Sequence, residues 1–196
     1  MKTAMRRRRL TIVCLLAIAA LGAAVARAAD ERAAAARATT DNFQAALRAE
    51  LVKGLKEGGP AGAITVCRDK APEIAARLSA ETGWTVGRTG PRVRNAANAS
   101  DAWEAQGLAE FAARQKAGEN LIRMEKGEVV TQPDGKRAYR YLKAIPMGEA
   151  CVKCHGAALD TLLLAKIRQL YPEDKGVDFS PGELRGAFTI TQPLPD

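Results

Sequence analysis

Residues 151–155 read Cys-Val-Lys-Cys-His, and His155 is the only histidine in the 196-residue chain. Two thiols at this spacing, with an imidazole directly after the second, form the attachment signature of a c-type haem. The thiols add across the haem vinyl groups, and the adjacent imidazole is held under the iron as an axial ligand. A chain built on this motif has to fold around a large flat macrocycle. It also has to finish the iron's coordination without a second histidine.

That chemistry takes place outside the bacterial cytoplasm, and the N-terminus supplies a route. Arg6 to Arg9 precede the apolar run Leu10 to Gly22, and small residues ending in Ala26-Arg27-Ala28 follow. A charged region, an apolar region and an A-x-A site make a secretory leader, with cleavage expected after Ala28. The expected organisation is thus a leader over residues 1–28 and one domain over 29–196, located in the periplasm. The competing reading is an uncleaved anchor. Leu10 to Ala26 is 17 residues long, the short limit for a membrane span, and its second half is weakly apolar Ala and Gly. With the leader removed, no stable membrane insertion is expected. Cys14 lacks a small residue just before it, which argues against a lipid anchor.

Cleavage also changes the charge argument. The leader carries six of the 30 Lys and Arg residues and no acid, so the mature chain has 24 bases against 22 acids. Such a balance does not support nucleic acid or an anionic membrane as a partner.

Phe43, Leu47, Leu51 and Leu55 recur every fourth residue and predict a long helix. Gly58-Gly59-Pro60 ends it. A second helix is expected from Ala61 to Lys70, with Ile64 and Cys67 on its inner face. Pro72 opens a third helix, which runs to Gly83 with Ile74, Ala75 and Leu78 apolar. Trp84 to Arg88 reads as a strand and Thr89 to Ser100 as an ordered loop. Asp101 and Glu104 have the spacing of a capping box, before a helix burying Trp103, Leu108 and Phe111 and stopping near Gly118. Leu121 to Thr131 and Lys136 to Ile145 are expected strands around the turn Pro133-Asp134-Gly135. After the Cys-x-x-Cys-His motif, a helix carries Leu159, Leu162, Leu163, Ile167 and Leu170 on one side and ends at Tyr171-Pro172. Leu184 to Thr191 is the last strand.

Two other chemistries compete for the cysteines. Cys151 and Cys154 could form a redox disulfide, but no βαβ context surrounds them. Cys67, Cys151, Cys154 and His155 could make a Cys3His zinc site, although Cys67 sits alone on a helix rather than in a second knuckle. In the haem reading, Cys151 and Cys154 attach one haem and His155 is the proximal ligand. The sixth position is then Met, Cys, Lys, water or nothing. Met147 is too close in sequence to Cys151 to cross the ring, and Met124 reads as core filler. Cys67 is the stronger candidate, since an exported chain seldom keeps a lone thiol without a use; the alternative is a small buried hydrophobe. Arg88, Arg92, Arg94, Arg137 and Arg140 are candidates for the haem propionates, because a guanidinium matches a carboxylate bidentately. Each is as readily a solvated surface charge. No Ser/His or Cys/His pair and no phosphate loop occurs, so no enzyme activity is expected.

Several short motifs agree in order with one family. Ala63-Ile64-Thr-Val-Cys67, Ala71-Pro72-Glu-Ile-Ala and Gly83-Trp84-Thr-Val-Gly87-Arg88-Thr89 come first. Arg94-Asn95-Ala-Ala-Asn98-Ala-Ser-Asp101-Ala-Trp103-Glu104 and Cys151-Val-Lys-Cys154-His155-Gly156 follow, then Tyr171-Pro172-Glu-Asp174 and Leu184-Arg185-Gly186-Ala. The whole resembles an exported c-type haem domain with a PAS-like fold, found alone in cyanobacteria and proteobacteria and ahead of sensor kinases and chemoreceptors. The resemblance implies an α+β fold, a small antiparallel sheet flanked by helices. It also implies that His155 and Cys67 are the two axial ligands. The loop from Arg88 to Asp101 departs from the family pattern at Gly90-Pro91, Ala96 and Ser100.

The expected function is that of a periplasmic mono-haem protein sensing redox state or a small gas. It would act through a signalling or redox partner by exchanging Cys67. The alternative is a soluble low-potential electron carrier.

Overall fold

Gly58 and Gly59 decide how the first long helix is used. In the computed structural model, which describes residues 2–195 and side chains from Arg27 onward, α1 (Lys2–Thr65) breaks there. Gly58 has φ −139° and Gly59 φ +59°, the latter a left-handed conformation open to a residue without Cβ. Pro60 restarts the helix, its fixed φ suiting a first turn. A Cβ built on Gly62 would lie 2.4 Å from the Gly54 carbonyl, so the two arms of α1 touch backbone to backbone.

Two compact units divide the chain. The first ends at Ala36, and its described residues lie within α1, where an exposed Arg27–Glu31 pair at 2.9 Å braces one turn. The expected leader falls here, and its side chains up to residue 26 lie outside the described residues. No helix among the described residues is long and apolar enough to cross a membrane. Residues 37–196 form the second unit and contain every candidate site residue.

The expected helix from Ala61 to Lys70 is built in two parts. Its first turns finish α1, and Val66–Lys70 is a π-helical turn carrying Cys67. α2 (Ala71–Thr82) continues from it, with Pro72 in its first turn and Gly83 at φ +71° as its left-handed cap. The capping box before α3 (Ala102–Lys116) is complete, with both reciprocal bonds between Asp101 and Glu104 formed. Glu104 is itself buried and accepts hydrogen bonds from Arg140 Nη2 at 3.2 Å and Thr189 Oγ1 at 2.7 Å.

Four strands form one antiparallel sheet in the order β1-β4-β3-β2. These are β1 (Thr85–Thr89), β2 (Glu125–Thr131), β3 (Arg137–Pro146) and β4 (Leu184–Pro193). The expected strand from Leu121 starts four residues late. Asn120 caps a 3₁₀ turn over Leu121–Arg123, its side chain accepting from Ile122 N. That local side-chain bond competes with the sheet ladder. The fold is α+β, as expected. α3 covers one face of the sheet, where Leu108, Phe111, Leu121 and Met124 pack with Leu142, Ala144, Leu184 and Ala187. The part of α1 after residue 37 covers the other. There Phe43 meets Phe188 at 5.2 Å, Lys143 pairs with Asp41, and Arg37 and Tyr141 share Glu125. Between β3 and β4 lie α4 (Val152–His155) and α5 (Thr161–Leu170). α5 buries Leu163 and Ile167, whereas Leu162, expected inside, is 82% exposed because it lies off that stripe.

The end of β1 crosses the start of β4 at two glycines. A Cβ on Gly186 would stand 2.2 Å from the Thr89 carbonyl oxygen, and one on Gly90 would stand 2.9 Å from that of Arg185. Backbone here meets backbone, so nothing can rotate aside. Gly186→Ala is therefore expected to cost about 3 kcal/mol, the upper end for overpacking. A fall in the urea midpoint at unchanged m-value measures it.

Candidate functional site

The motif residues occupy one helical turn. Cys154 N and His155 N both donate to the Cys151 carbonyl, at 3.1 and 3.0 Å, and Gly156 N to that of Val152 at 2.8 Å. Positions three and four apart on a helix share a side, so Cys151, Cys154 and His155 face one way. Gly156 follows because a Cβ there would lie 2.7 Å from the Val152 carbonyl oxygen. Cys151 is exposed, Cys154 and His155 are half-buried, and Cys67, Cys151 and Cys154 are all free thiols. The alternative of a Cys151–Cys154 disulfide is not formed.

His155 is held in one tautomer. Its Nδ1 lies 2.6 Å from the Gly176 carbonyl oxygen. A carbonyl only accepts, so Nδ1 carries the proton and Nε2 presents a lone pair. Burial first, then the cations of Arg185, Arg94 and Arg88, push the imidazole pKa down to about 3, against the opposing Gly176 hydrogen bond. The ring is thus neutral, as a metal-ligating histidine must be. Phe179 stands edge-on to it at 6.5 Å.

The carbonyl that orients His155 is itself braced. Gly176 N donates to Asp174 Oδ1 at 2.7 Å, and Asp174 pairs with Arg94 at 3.1 Å. Arg94 Nη2 reaches the carbonyls of Cys154 at 2.7 Å and Gly176 at 3.1 Å. Arg94 and Asp174 side chains are 8% and 5% exposed, so this is a buried ion pair tied directly to the motif backbone.

Cys67, carried on the π-turn, is close enough to Cys151 and Cys154 for their charges to act on one another. Burial pushes its thiol pKa up, while Arg88, Arg94 and Arg185 pull it down and Cys151 adds to the rise. Cys154 feels burial first, then Arg94, Cys67 and Cys151. Tyr171 is raised by burial and then by Cys67. An apolar wall of Ile64, Leu163, Ile167 and Tyr171 packs against Cys154, Leu159 and Leu170. Among the described residues no group of three or more His, Cys, Asp or Glu gathers to hold a metal ion. The Cys3His zinc alternative therefore lacks its geometry. What the site offers is two thiols and an oriented imidazole on one side, a third thiol nearby, an apolar wall and several guanidinium groups. Those features fit a haem.

The family model of Tll0287-like proteins (Tll0287) matches residues 21–193. The chain belongs to the Tll0287-like family. Its structure is similar to the crystal structure of the cyanobacterial heme-protein Tll0287, with a TM-score of 0.65 at 20% identity, covering 85% of this chain and 97% of that one. At that identity the likeness shows the fold. Comparison with curated protein sequences finds no match.

In this Tll0287-like chain the five expected arginines separate. Arg94 is engaged by Asp174 and by the Cys154 and Gly176 carbonyls, and Arg88 acts electrostatically on Cys67. Arg92 ion-pairs with Glu183, donates to the Asp178 carbonyl at 3.2 Å and lies 3.8 Å over Phe179, beside the site but engaged. Arg140 is a correction. It pairs with Asp101 and Glu104 and covers Trp103 at 4.4 Å, on the sheet face opposite Arg88, so it staples α3 to β3. Arg137 is exposed at the far end of β3. It sits six residues from Lys143, the residue level with Arg88 through Phe188, or about 20 Å along the strand. Met124 is core filler under α3, and Met147 is buried where its backbone pairs with Glu183 and Gly182. The residue that sequence reasoning missed is Arg185, which perturbs both His155 and Cys67. Its sequence signal is its place in the Leu184-Arg185-Gly186-Ala stretch of the resemblance, and only the strand order shows that β4 starts beside Cys151 to His155.

Proposed function

We propose that this chain is a periplasmic mono-haem c-type protein acting as a redox or small-gas sensor. Cys151 and Cys154 would hold the haem covalently, and His155 and Cys67 would be its axial ligands. The observation that carries this reading is the His155 Nδ1–Gly176 carbonyl bond, which leaves Nε2 as a neutral, pre-aimed donor. The heme-protein Tll0287, similar in fold over most of both chains, supports the same cofactor. The haem supplies a redox-active iron able to bind a diatomic ligand. The chain's own residues orient the imidazole, bring up the thiol and wall off water with Ile64, Leu163 and Ile167.

Sensing is favoured by where Cys67 sits. A π-turn is a locally mispaired helix segment, often found at functional sites. A sulfur carried on it can withdraw by a small change of helical register. The exposure of Cys151 favours the second reading, electron carriage, because a haem edge joined at an exposed thiol lies near solvent.

The test is production of the full chain with c-type maturation, followed by ferric, ferrous and ferrous-CO spectra. A Soret band that stays with the denatured polypeptide is expected, together with a ferrous form that binds CO as Cys67 leaves. A stable six-coordinate ferrous protein refusing CO would establish the carrier. Bound zinc without a Soret band would overturn both.

A further inference from the structure

Two arginines beside this site have no counter-charge. Arg37, Arg92, Arg94, Arg114 and Arg140 each hold a carboxylate. Arg88 and Arg185, both half-buried, form no ion pair among the described residues. Arg88 lies 5.6 Å over the Phe43 ring, and Arg185 donates to the Arg92 carbonyl at 3.1 Å and lies 5.1 Å over Phe179. Burial opposes both charges: it pushes Arg88 below its usual value against Cys67 and Tyr171, and it pushes Arg185 to about 10, with Arg88 and Arg94 adding to the fall. Asp174, the acid that acts on Arg185, is already paired with Arg94. Two adjacent guanidinium groups drawn out of water without an anion are costly, so the arrangement calls for two negative charges.

We infer that Arg88 and Arg185 are a two-cation clamp for the pair of propionates carried by a haem at this site, Arg185 being its previously unassigned half. The inference rests on the haem reading above. The charges close. Ferric iron, the porphyrin dianion and a Cys67 thiolate sum to zero, leaving two propionates against two guanidinium groups. The arms come from neighbouring strands: β1 brings Arg88, and β4 brings Arg185 one residue before Gly186. The backbone contact of Gly186 with Thr89 holds the two strand ends together. Geometry of this kind suits bidentate carboxylate recognition.

The experiment compares wild type with Arg185→Gln, Arg88→Gln and Arg185→Lys, each matured with haem, by covalent haem content and midpoint potential. Removing a cation beside the iron favours Fe(III), so each Gln variant is expected to shift the oxidised-to-reduced ratio at fixed potential about tenfold, or about 59 mV downward. Arg185→Lys, which keeps the charge, should recover most of the shift. A purely structural Arg185 would leave the potential in place. Gln variants that carry haem at the wild-type potential would overturn the clamp. If Arg185→Gln does not accumulate, Arg88→Gln decides by the same criterion. A wild-type protein with no attached haem would instead sink the reading of the site.

Discussion

Replacing Cys67 by alanine in the haem-loaded protein is expected to raise the midpoint potential by two or more tenfold steps, about 120 mV at 59 mV each. A thiolate is an anionic donor that stabilises Fe(III) over Fe(II), so its loss favours reduction. The surroundings enlarge the effect. Arg88, Arg94 and Arg185 all act on Cys67, and without the sulfur's charge their positive potential acts on the iron less opposed. The ferric spectrum should change at the same time, and the ferrous protein should bind CO without a lag, because nothing has to leave first. Potentiometric titration with ferric and ferrous-CO spectra checks all three. An alanine variant with the ferric spectrum and potential of wild type would remove Cys67 from the iron and return it to the role of a small buried hydrophobe.

Arg94→Ala is expected to be the most destabilising single change near the site, by about 3–5 kcal/mol. The loss is not that of the attraction alone. It strands the Asp174 carboxylate, 5% exposed, and leaves the carbonyls of Cys154 and Gly176 without their shared donor. Because Gly176 orients His155, the same substitution should loosen the imidazole and broaden the haem spectrum. Chemical unfolding of wild type, Arg94→Ala, Asp174→Asn and the double variant measures it. The double variant should regain part of the stability, since the stranded charge is gone. If Arg94→Ala unfolds within about 1 kcal/mol of wild type, the brace carries little.

The parts of this molecule that local chemistry dictates are legible directly. The break at Gly58-Gly59-Pro60, the Asp101–Glu104 box and the Pro133-Asp134-Gly135 turn all depend on neighbours within a few residues. The misreadings have two sources, one local and one long-range. Leu121 has the apolar character of a strand residue, while the Asn120 side chain takes the backbone into a 3₁₀ turn. Arg140 looks like Arg88 in the sequence, since nothing local says which face of a sheet will carry a cofactor. Arg185 escapes notice because its position depends on β4 lying between β1 and β3, a long-range pairing with no short-range marker. The Gly176 carbonyl is equally invisible, because backbone groups have no letter of their own.

The π-turn over Val66–Lys70 makes the placing of Cys67 a matter of counting. It holds one residue more than plain α-helix would use over the same stretch. Loss of any one residue from Asp69 to Ala71 would let the rod relax to ordinary pitch. The segments on either side would keep their alignment, and the residues inside the turn, Cys67 among them, would change place along it. Such a chain would keep its thiol, its motif and its composition, yet point its sulfur elsewhere. Within this stretch an alignment gap carries more meaning than a substitution, and relatives that share the cysteine are comparable only when they also share the count.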